Sequence, residues 1–338
     1  MTPPWTYWIG IAAASWLLTF PVRAVLLRFG VVDKPNERSS HVVPTVRGAG
    51  IGIVLVVGGV MGWSALSTGN LAQGCLVALF FALAAVSFVD DLRGLGPVVR
   101  FLTQAIVAAA AVFLFGFWGH HSVGLQVLLG CVAWLWVAGY TNAFNFMDGI
   151  NGLAAVQAIV TGLGTAAVSV SAGLTVNHAA VVFSVAVAGA ALGFLPHNFP
   201  RARVFMGDVS SAPLGFLLAV LAVWIAGETS LWMLPWLALL HANFVLDTGI
   251  TLLRRVSRGE QWYSAHREHF YQRLIRVGYS HTRVTLIQAG LQVVVVVAVW
   301  LATPLGLGVK LAVGVGVVAL WLGFFAFAEA KFREGQRI

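Results

Sequence analysis

The sequence predicts an all-α fold, a polytopic transmembrane helix bundle of about eleven spans with its N-terminus outside and its C-terminus cytoplasmic. Three observations predict it. Of 338 residues, 59% are apolar and only 9% are charged, whereas a soluble domain carries about a quarter charged residues. Glycine is also abundant, at 37 residues, which suits close-packed membrane helices. The apolar residues fall in long runs, each near the roughly 20 residues a span requires. Aromatic and aliphatic content excludes disorder. Cys75 and Cys131, both inside apolar runs, exclude a disulfide scaffold and read as small core hydrophobes.

Taken in order, the runs are 5–27, 49–66, 71–89, 98–117, 123–140, 154–171, 179–195, 211–227, 231–252, 284–302 and 309–328. The first is too long and too poor in cleavage-site residues for a signal peptide. Eleven spans sort the connections between two faces. One face receives 28–48, 90–97, 141–153, 196–210, 253–283 and 329–338, and the other only short connectors. Of the 20 Lys and Arg, 19 lie on or beside the first face, Arg23, Arg28, Arg93, Arg100, Arg254 and Arg255 among them. Lys310 is the exception. The positive-inside rule makes that face cytoplasmic. The net charge of +8 is therefore an inner-rim feature that attracts anionic headgroups and substrates, not a nucleic-acid footprint. No soluble domain or internal repeat is visible, so residues 1–338 read as one integral-membrane domain.

The twelve acids carry the chemistry. Asp90, Asp91, Asp148, Asp208 and Asp247 lie at or near inner span ends, where ionisable groups are functional candidates. An arginine-paired end-cap explains any one of them, but explains poorly four acidic motifs from different loops on one face. In FVDDLRGL (88–95) two adjacent carboxylates repel each other, and a divalent cation such as Mg²⁺ relieves that repulsion. TNAFNFMDGINGL (141–153) interleaves Asn142, Asn145, Asp148 and Asn151 with glycines. Paired amide donors and acceptors suit a nucleotide base or sugar amide. PHNFPRARVFMGD (196–208) sets Arg201 and Arg203 before Gly207-Asp208. HREHFYQRLIRVGYSH (266–281) carries His266, His269 and His281 among Arg267, Arg273 and Arg276. The histidine spacing alone would admit zinc, but no cysteine or close third ligand supports it, and pyrophosphate-binding cations fit better. The set fits phosphoryl transfer from a soluble nucleotide to a lipid.

At these motifs the chain resembles the polyprenyl-phosphate N-acetylhexosamine-1-phosphate transferases, glycosyltransferase family 4, from DKPNERSSHVVPTVRGAG (33–50) through the histidine loop. The resemblance implies that Asp90 and Asp91 form the pair that handles the acceptor and the metal-phosphate complex. It implies Asp148 as the acid of the N-x-x-N-x-x-D-G loop and Asp208, with Asp91, as Mg²⁺ ligands, Mn²⁺ being an acceptable substitute. Phe205 resembles the aromatic that stacks on uracil, beside Asn142, Asn145, Asn151, Arg203 and Arg267 as donor-binding residues. His266 and His269 match the first two histidines of the cytoplasmic motif. Asp247, with Arg254 and Arg255, matches the ninth-helix pattern, for which a structural ion pair is an equal alternative. Lys34, Arg38, His41 and Arg47, at the inner edge, are candidates for the acceptor phosphate, or equally for headgroup anchoring.

Three departures stand out. Asn151 occupies a position often filled by aspartate, Ser210 replaces the second glycine of G-D-x-G-S, and Tyr271 and Gln272 replace later histidines. The form H-R-x-H-x-Y-Q-R-L resembles the branch that primes O-antigen with N-acetylated 6-deoxyhexosamines. The implied reaction is UDP-N-acetyl(deoxy)hexosamine plus undecaprenyl phosphate giving undecaprenyl-pyrophosphoryl-sugar plus UMP, at the bacterial inner membrane. A secondary transporter would place its acids near the midplane, often in inverted repeats. A non-catalytic partner of a glycan-assembly complex would not need acids in every motif. Small-residue faces at Gly58-Gly62 and Gly189-Gly193 can pack spans within one chain or across a homodimer.

Overall fold

The computed structural model describes residues 4–33, 35, 43–118, 122–261 and 266–336, with side chains from residue 7 onward. Eleven helical segments are long and apolar enough to cross a membrane. In chain order they are α1 (Pro4–Arg28), α2 (Ile51–Thr68), α3 (Leu71–Arg93), α4 (Pro97–Phe115), α5 (Val123–Phe146), α6 (Leu153–Ser171), α7 (Ala179–Asn198), α8 (Asp208–Glu228), the pair α9 (Met233–Ala238) and α10 (Ala242–Ser257), and, after the short α11 (Phe270–Arg276), α12 (His281–Ala302) and α13 (Leu307–Gly335). The chain is an all-α, multi-pass membrane protein.

Helix α8 is the axis of the bundle. Its most apolar stretch is wholly buried, and α2 to α7 pack around it. A helix apolar on every side belongs in such a position. Outer helices show lipid what α8 does not, as Leu66, Phe113 and Val315 do. The Gly189-Gly193 stripe works inside the chain. A Cβ at Gly193 would meet the Ala12 carbonyl oxygen at 2.0 Å, and one at Gly189 would meet Trp8. Small residues thus let α1 approach α7 closely, and Ser15 Oγ fixes the contact by donating to the Ala190 carbonyl at 2.7 Å. Gly58 similarly admits the Phe81 ring of α3.

Several boundaries differ from the sequence expectation; α13 runs to Gly335, past the expected end at 328, and the expected loop 196–210 shrinks to 199–207. Helix α5 continues to Phe146, so Asn142 and Asn145 lie on a helix and the expected loop 141–153 shrinks to 147–152. The expected loop 90–97 shrinks likewise, because α3 runs to Arg93 and carries Asp90 and Asp91 in its last turn. The expected run 231–252 is broken by a 3-10 turn at Leu239–His241. There the Leu240 carbonyl, released from the helical ladder, accepts from Gln292 Nε2 at 2.6 Å and Thr161 Oγ1 at 3.2 Å. Buried side chains satisfy a backbone that lipid could not.

The segment between α1 and α2 contains a two-stranded antiparallel ribbon, β1 (Val32–Asp33) and β2 (Thr45–Val46), paired Val32 with Val46 and Asp33 with Thr45. β2 is stitched in turn to the segment before α8. Phe205 N–H donates to the Val46 carbonyl at 2.7 Å, and Ala49 N–H donates to the Phe205 carbonyl at 3.0 Å. These bonds carry the residues just before α2 onto the N-terminus of α8.

Candidate active site

Gly207 decides the local geometry. It adopts φ +77, and a Cβ there would sit 2.6 Å from Asp91 Oδ2 and 2.7 Å from Gly48 Cα. Only glycine meets both demands without strain. The close approach brings the first turn of α8 onto the last turn of α3. Asp91 then caps α8, with Oδ1 accepting from Asp208 N–H at 3.0 Å and Oδ2 from Val209 N–H at 2.9 Å. A carboxylate at a helix N-terminus satisfies orphan donors and the macrodipole together.

Two arginines close the cluster. Arg47 donates Nε to Asp91 Oδ1 at 2.7 Å and Nη2 to Asp208 Oδ1 at 3.1 Å. Arg100, from the first turn of α4, donates to Asp90 Oδ2 at 3.2 Å and lies 3.6 Å from Asp208 Oδ2. Asp90 also accepts from Leu95 N–H. The Asp91 side chain is fully buried, whereas that of Asp208 is 19% exposed. Asp208 is thus the more accessible of the two expected metal ligands, and Asp91 is already saturated by an arginine and two backbone donors.

Asp148, half-buried in the turn after α5, joins the same field. Burial, then Asp208 and Asp91, push its carboxyl well above the ordinary range, against Arg47 and the Gly207 backbone. Burial alone would lower Arg47, but Asp208, Asp91 and Asp33 outweigh it and raise the guanidinium above its usual value. Four carboxyl groups thus share two guanidiniums, a crowding that lifts the Asp148 carboxyl and that a divalent cation would relieve. Beside Asp90, Asp208, Arg100, Asn142 and Asn145 lies a cavity of about 20 Å³, room for a single water-sized occupant. Among the described residues, no three His, Cys, Asp or Glu side chains converge as a complete metal cage. Mg²⁺ seldom needs one, since it binds one or two carboxylates and completes its shell with water and substrate phosphates.

The expected donor-binding residues divide. Asn142 and Asn145 line the cavity, although Asn145 Nδ2 is held by Ser211 Oγ at 2.9 Å and Asn142 Nδ2 by the Ala138 carbonyl. Asn151 donates to the Pro200 carbonyl at 3.1 Å, tying the 147–152 turn to the segment before α8. Phe205 anchors the β2 stitch through its backbone, while Arg203 has an exposed side chain and Arg267 a half-buried one. Arg47 is in the carboxylate cluster. Lys34, Arg38 and His41 lie outside the described residues.

The histidine segment is fastened to the bundle by Asp247. This fully buried carboxylate on α10 accepts from His269 Nδ1 at 2.9 Å, from Phe270 N–H at 3.2 and 3.1 Å, and from Thr251 Oγ1 at 3.3 Å. It pairs with neither Arg254 nor Arg255, which bond Glu329 and Glu268 instead. His266 stands 5.0 Å from His269 ring to ring. Burial, then His269 and Arg255, lower the His266 imidazole to about 4. Tyr271 donates its hydroxyl to the Phe146 carbonyl at 3.0 Å, which links this segment to the Asp148 turn. Arg100, Asp247 as the histidine's partner, and Tyr271 as a brace are contributions that sequence reasoning did not assign. The turn Gly94-Leu-Gly-Pro, which folds α4 back on α3, is the signal that could have revealed Arg100.

A family model for glycosyl transferase family 4 matches residues 73–226. The chain is 34% identical over 316 residues to a decaprenyl-phosphate N-acetylglucosaminephosphotransferase of Mycobacterium tuberculosis (strain ATCC 25618 / H37Rv), covering 82% of this chain and 78% of that protein. The chain belongs to glycosyl transferase family 4. A Bacillus subtilis (strain 168) family member, named a probable undecaprenyl-phosphate N-acetylglucosaminyl 1-phosphate transferase, is 28% identical over 284 residues, 80% of this chain and 77% of its own. A phospho-N-acetylmuramoyl-pentapeptide-transferase of Limosilactobacillus fermentum (strain NBRC 3956 / LMG 18251) is 30% identical over 249 residues, 64% of this chain and 74% of its own. The match of residues 73–226 takes in the Asp90-Asp91 pair, Arg100, the Asp148 turn and Asp208, while Arg47 of the same cluster lies before it.

Proposed function

We propose that this chain transfers an N-acetyl(deoxy)hexosamine 1-phosphate from its UDP-sugar to undecaprenyl phosphate, releasing UMP. This would initiate a lipid-linked cell-envelope polysaccharide, O-antigen being the case the histidine motif suggests. The observation that carries the reading is the cluster of Asp90, Asp91 and Asp208, clasped by Arg47 and Arg100, where the ends of α3 and α8 meet. The relatives named for polyprenyl-phosphate acceptors lend further support. The site faces the cytoplasm of the inner membrane in this account.

An oxygen of the acceptor phosphate attacks the β-phosphorus of the donor. A new P–O–P bond forms, the bond from that phosphorus to the bridging oxygen breaks, and UMP departs with the electron pair. The acceptor is already a competent nucleophile, so positioning and charge neutralisation are the main tasks. Asp208, with Asp90 or Asp91, would hold Mg²⁺, which when bound would neutralise charge on the donor pyrophosphate. Arg47 and Arg100 can turn their guanidinium forks toward phosphate oxygens of the two substrates. His269, its ring oriented by Asp247, and the neighbouring His266 approach the donor from the cytoplasmic side, with Arg267. Asn142, Asn145, Asn151, Phe205 and Arg203 border the nucleotide.

A donor panel tests the reading. Purified protein is incubated with undecaprenyl phosphate, Mg²⁺ and UDP-GlcNAc or its 6-deoxy N-acetylated analogues, and UMP is measured. The account expects UMP with at least one donor and none with UDP-glucose. No UMP from any donor, with folded protein and acceptor present, would sink it.

A further inference from the structure

Where α10, α11 and α13 meet they leave a groove of about 430 Å³, within the ~300–1,000 Å³ usual for ligand sites. Its floor is apolar, formed by Phe270, Leu322 and Phe325, and its rim holds Arg254, Arg333 and Glu329. Glu329 is the meeting point of three guanidiniums. Arg254 approaches it at 3.0 Å and Arg333 at 2.8 Å, and Arg273 bonds it as well. Arg273 also lies 3.8 Å from Glu268, which is already bonded by Arg255 and Arg258. Glu260 is shared by the same two arginines. Arg276 has an aromatic contact, 4.7 Å above Phe332. Five arginines therefore meet three glutamates in one network, with Arg276 beside it. Burial lowers the Arg273 guanidinium from its ordinary range, Arg254 and Arg258 add to the effect, and Glu329 and Glu268 only partly offset it.

The charge is graded along the groove. From Leu322 to Arg333 α13 climbs eleven residues, about 16 Å at 1.5 Å per residue. An apolar floor inside the span therefore leads to an excess of arginine at its end. That is the profile of a lipid with an anionic head. Basic pockets between spans suit such headgroups, and the guanidinium fork suits phosphate.

We infer that the groove between α10 and α13 binds one anionic phospholipid, with its phosphate on Arg254 and Arg333 and an acyl chain along Phe270, Leu322 and Phe325. Phe270 opens α11 and donates its N–H to Asp247, so the lipid would brace the element that carries His269. The binding itself does not depend on the proposed reaction.

Native mass spectrometry of the delipidated full-length protein, titrated with phosphatidylglycerol or phosphatidylcholine, tests this. The first phosphatidylglycerol should bind at least tenfold more tightly than phosphatidylcholine. Arg254→Gln with Arg333→Gln should abolish that preference. Arg28→Gln with Arg93→Gln, two exposed arginines on α1 and α3, should retain it. Ala326→Trp fills the groove without touching a charge and should also weaken the first binding tenfold, so it decides the matter if the double arginine variant does not fold. Equal affinity for the two lipids, equal loss in both arginine pairs, or full binding by Ala326→Trp would each overturn the inference. So would displacement by undecaprenyl phosphate at a tenth of the phosphatidylglycerol concentration, which would make the groove an acceptor seat.

Discussion

Replacing Asp247 separates a chemical role for His269 from a purely architectural one. In Asp247→Ala the acceptor vanishes for His269 Nδ1, Phe270 N–H and Thr251 Oγ1. The threonine can turn to the carbonyl one helical turn back, which leaves two buried donors stranded. At about 1–3 kcal/mol each, the loss should be about 4 kcal/mol. Asp247→Asn keeps one oxygen toward His269 and Phe270, but places a buried amide N–H₂ where Oδ2 accepted. Its loss should be about 2 kcal/mol by the same reasoning. Thermal unfolding in detergent should rank wild type above Asn above Ala. If the His269 ring must point at the donor phosphate, turnover per folded molecule should fall in the same order, by about 10- to 100-fold for Ala, equivalent to about 1.4–2.7 kcal/mol of transition-state binding. UMP release, normalised to the folded fraction, measures it. Reduced stability with unchanged turnover would refute the contact between His269 and substrate. Unchanged stability in Asp247→Ala would refute the hydrogen-bond assignment itself.

Gly207→Ala should cost about 2–4 kcal/mol, since it combines a left-handed backbone with overpacking against Asp91 and Gly48; a melting curve matching wild type would contradict the close approach of α8 to α3. His266 has its imidazole lowered to about 4, so the unfolded chain takes up a proton that the folded one refuses, and stability attributable to this residue is lost as pH falls from about 6.5 toward 4. His266→Gln should therefore flatten the decline in melting temperature across that window, and an identical slope would count against it. In a cysteine-free background, a thiol at Gly335 should react with an impermeant reagent only from the cytoplasmic side and one at Leu174 only from outside; the reverse would invert the proposed topology.

Eleven apolar stretches of the right length survive almost unchanged as spans, because lipid leaves a backbone few options. Their ends were harder to read. Asn142 and Asn145 look like loop residues, yet tertiary partners such as Ser211 let α5 continue past them. The break at Leu239–His241 is silent in hydropathy, since its freed carbonyl is satisfied by Gln292 and Thr161 from distant helices. Motif acids could be located but not their partners. Arg47 and Asp91 are 44 residues apart and His269 and Asp247 are 22 apart, and nothing local in the chain announces either pair. The β1–β2 ribbon is two residues per strand, too short for a periodic signal, yet it delivers Arg47 to the cluster.

If the carboxylates gathered by Gly207 support phosphoryl transfer to a lipid phosphate, turnover depends on Asp208. The measurement is the initial rate of UMP release by purified wild-type and Asp208→Asn protein, with undecaprenyl phosphate, a UDP-N-acetylhexosamine donor accepted in the panel and saturating Mg²⁺. The substitution is nearly isosteric at a side chain that is 19% exposed, so the melting temperature should stay within a few degrees. Loss of a charged group from the transition-state clamp should cost about 4 kcal/mol, roughly a thousandfold in rate. Near-normal UMP release by folded Asp208→Asn protein would contradict the account.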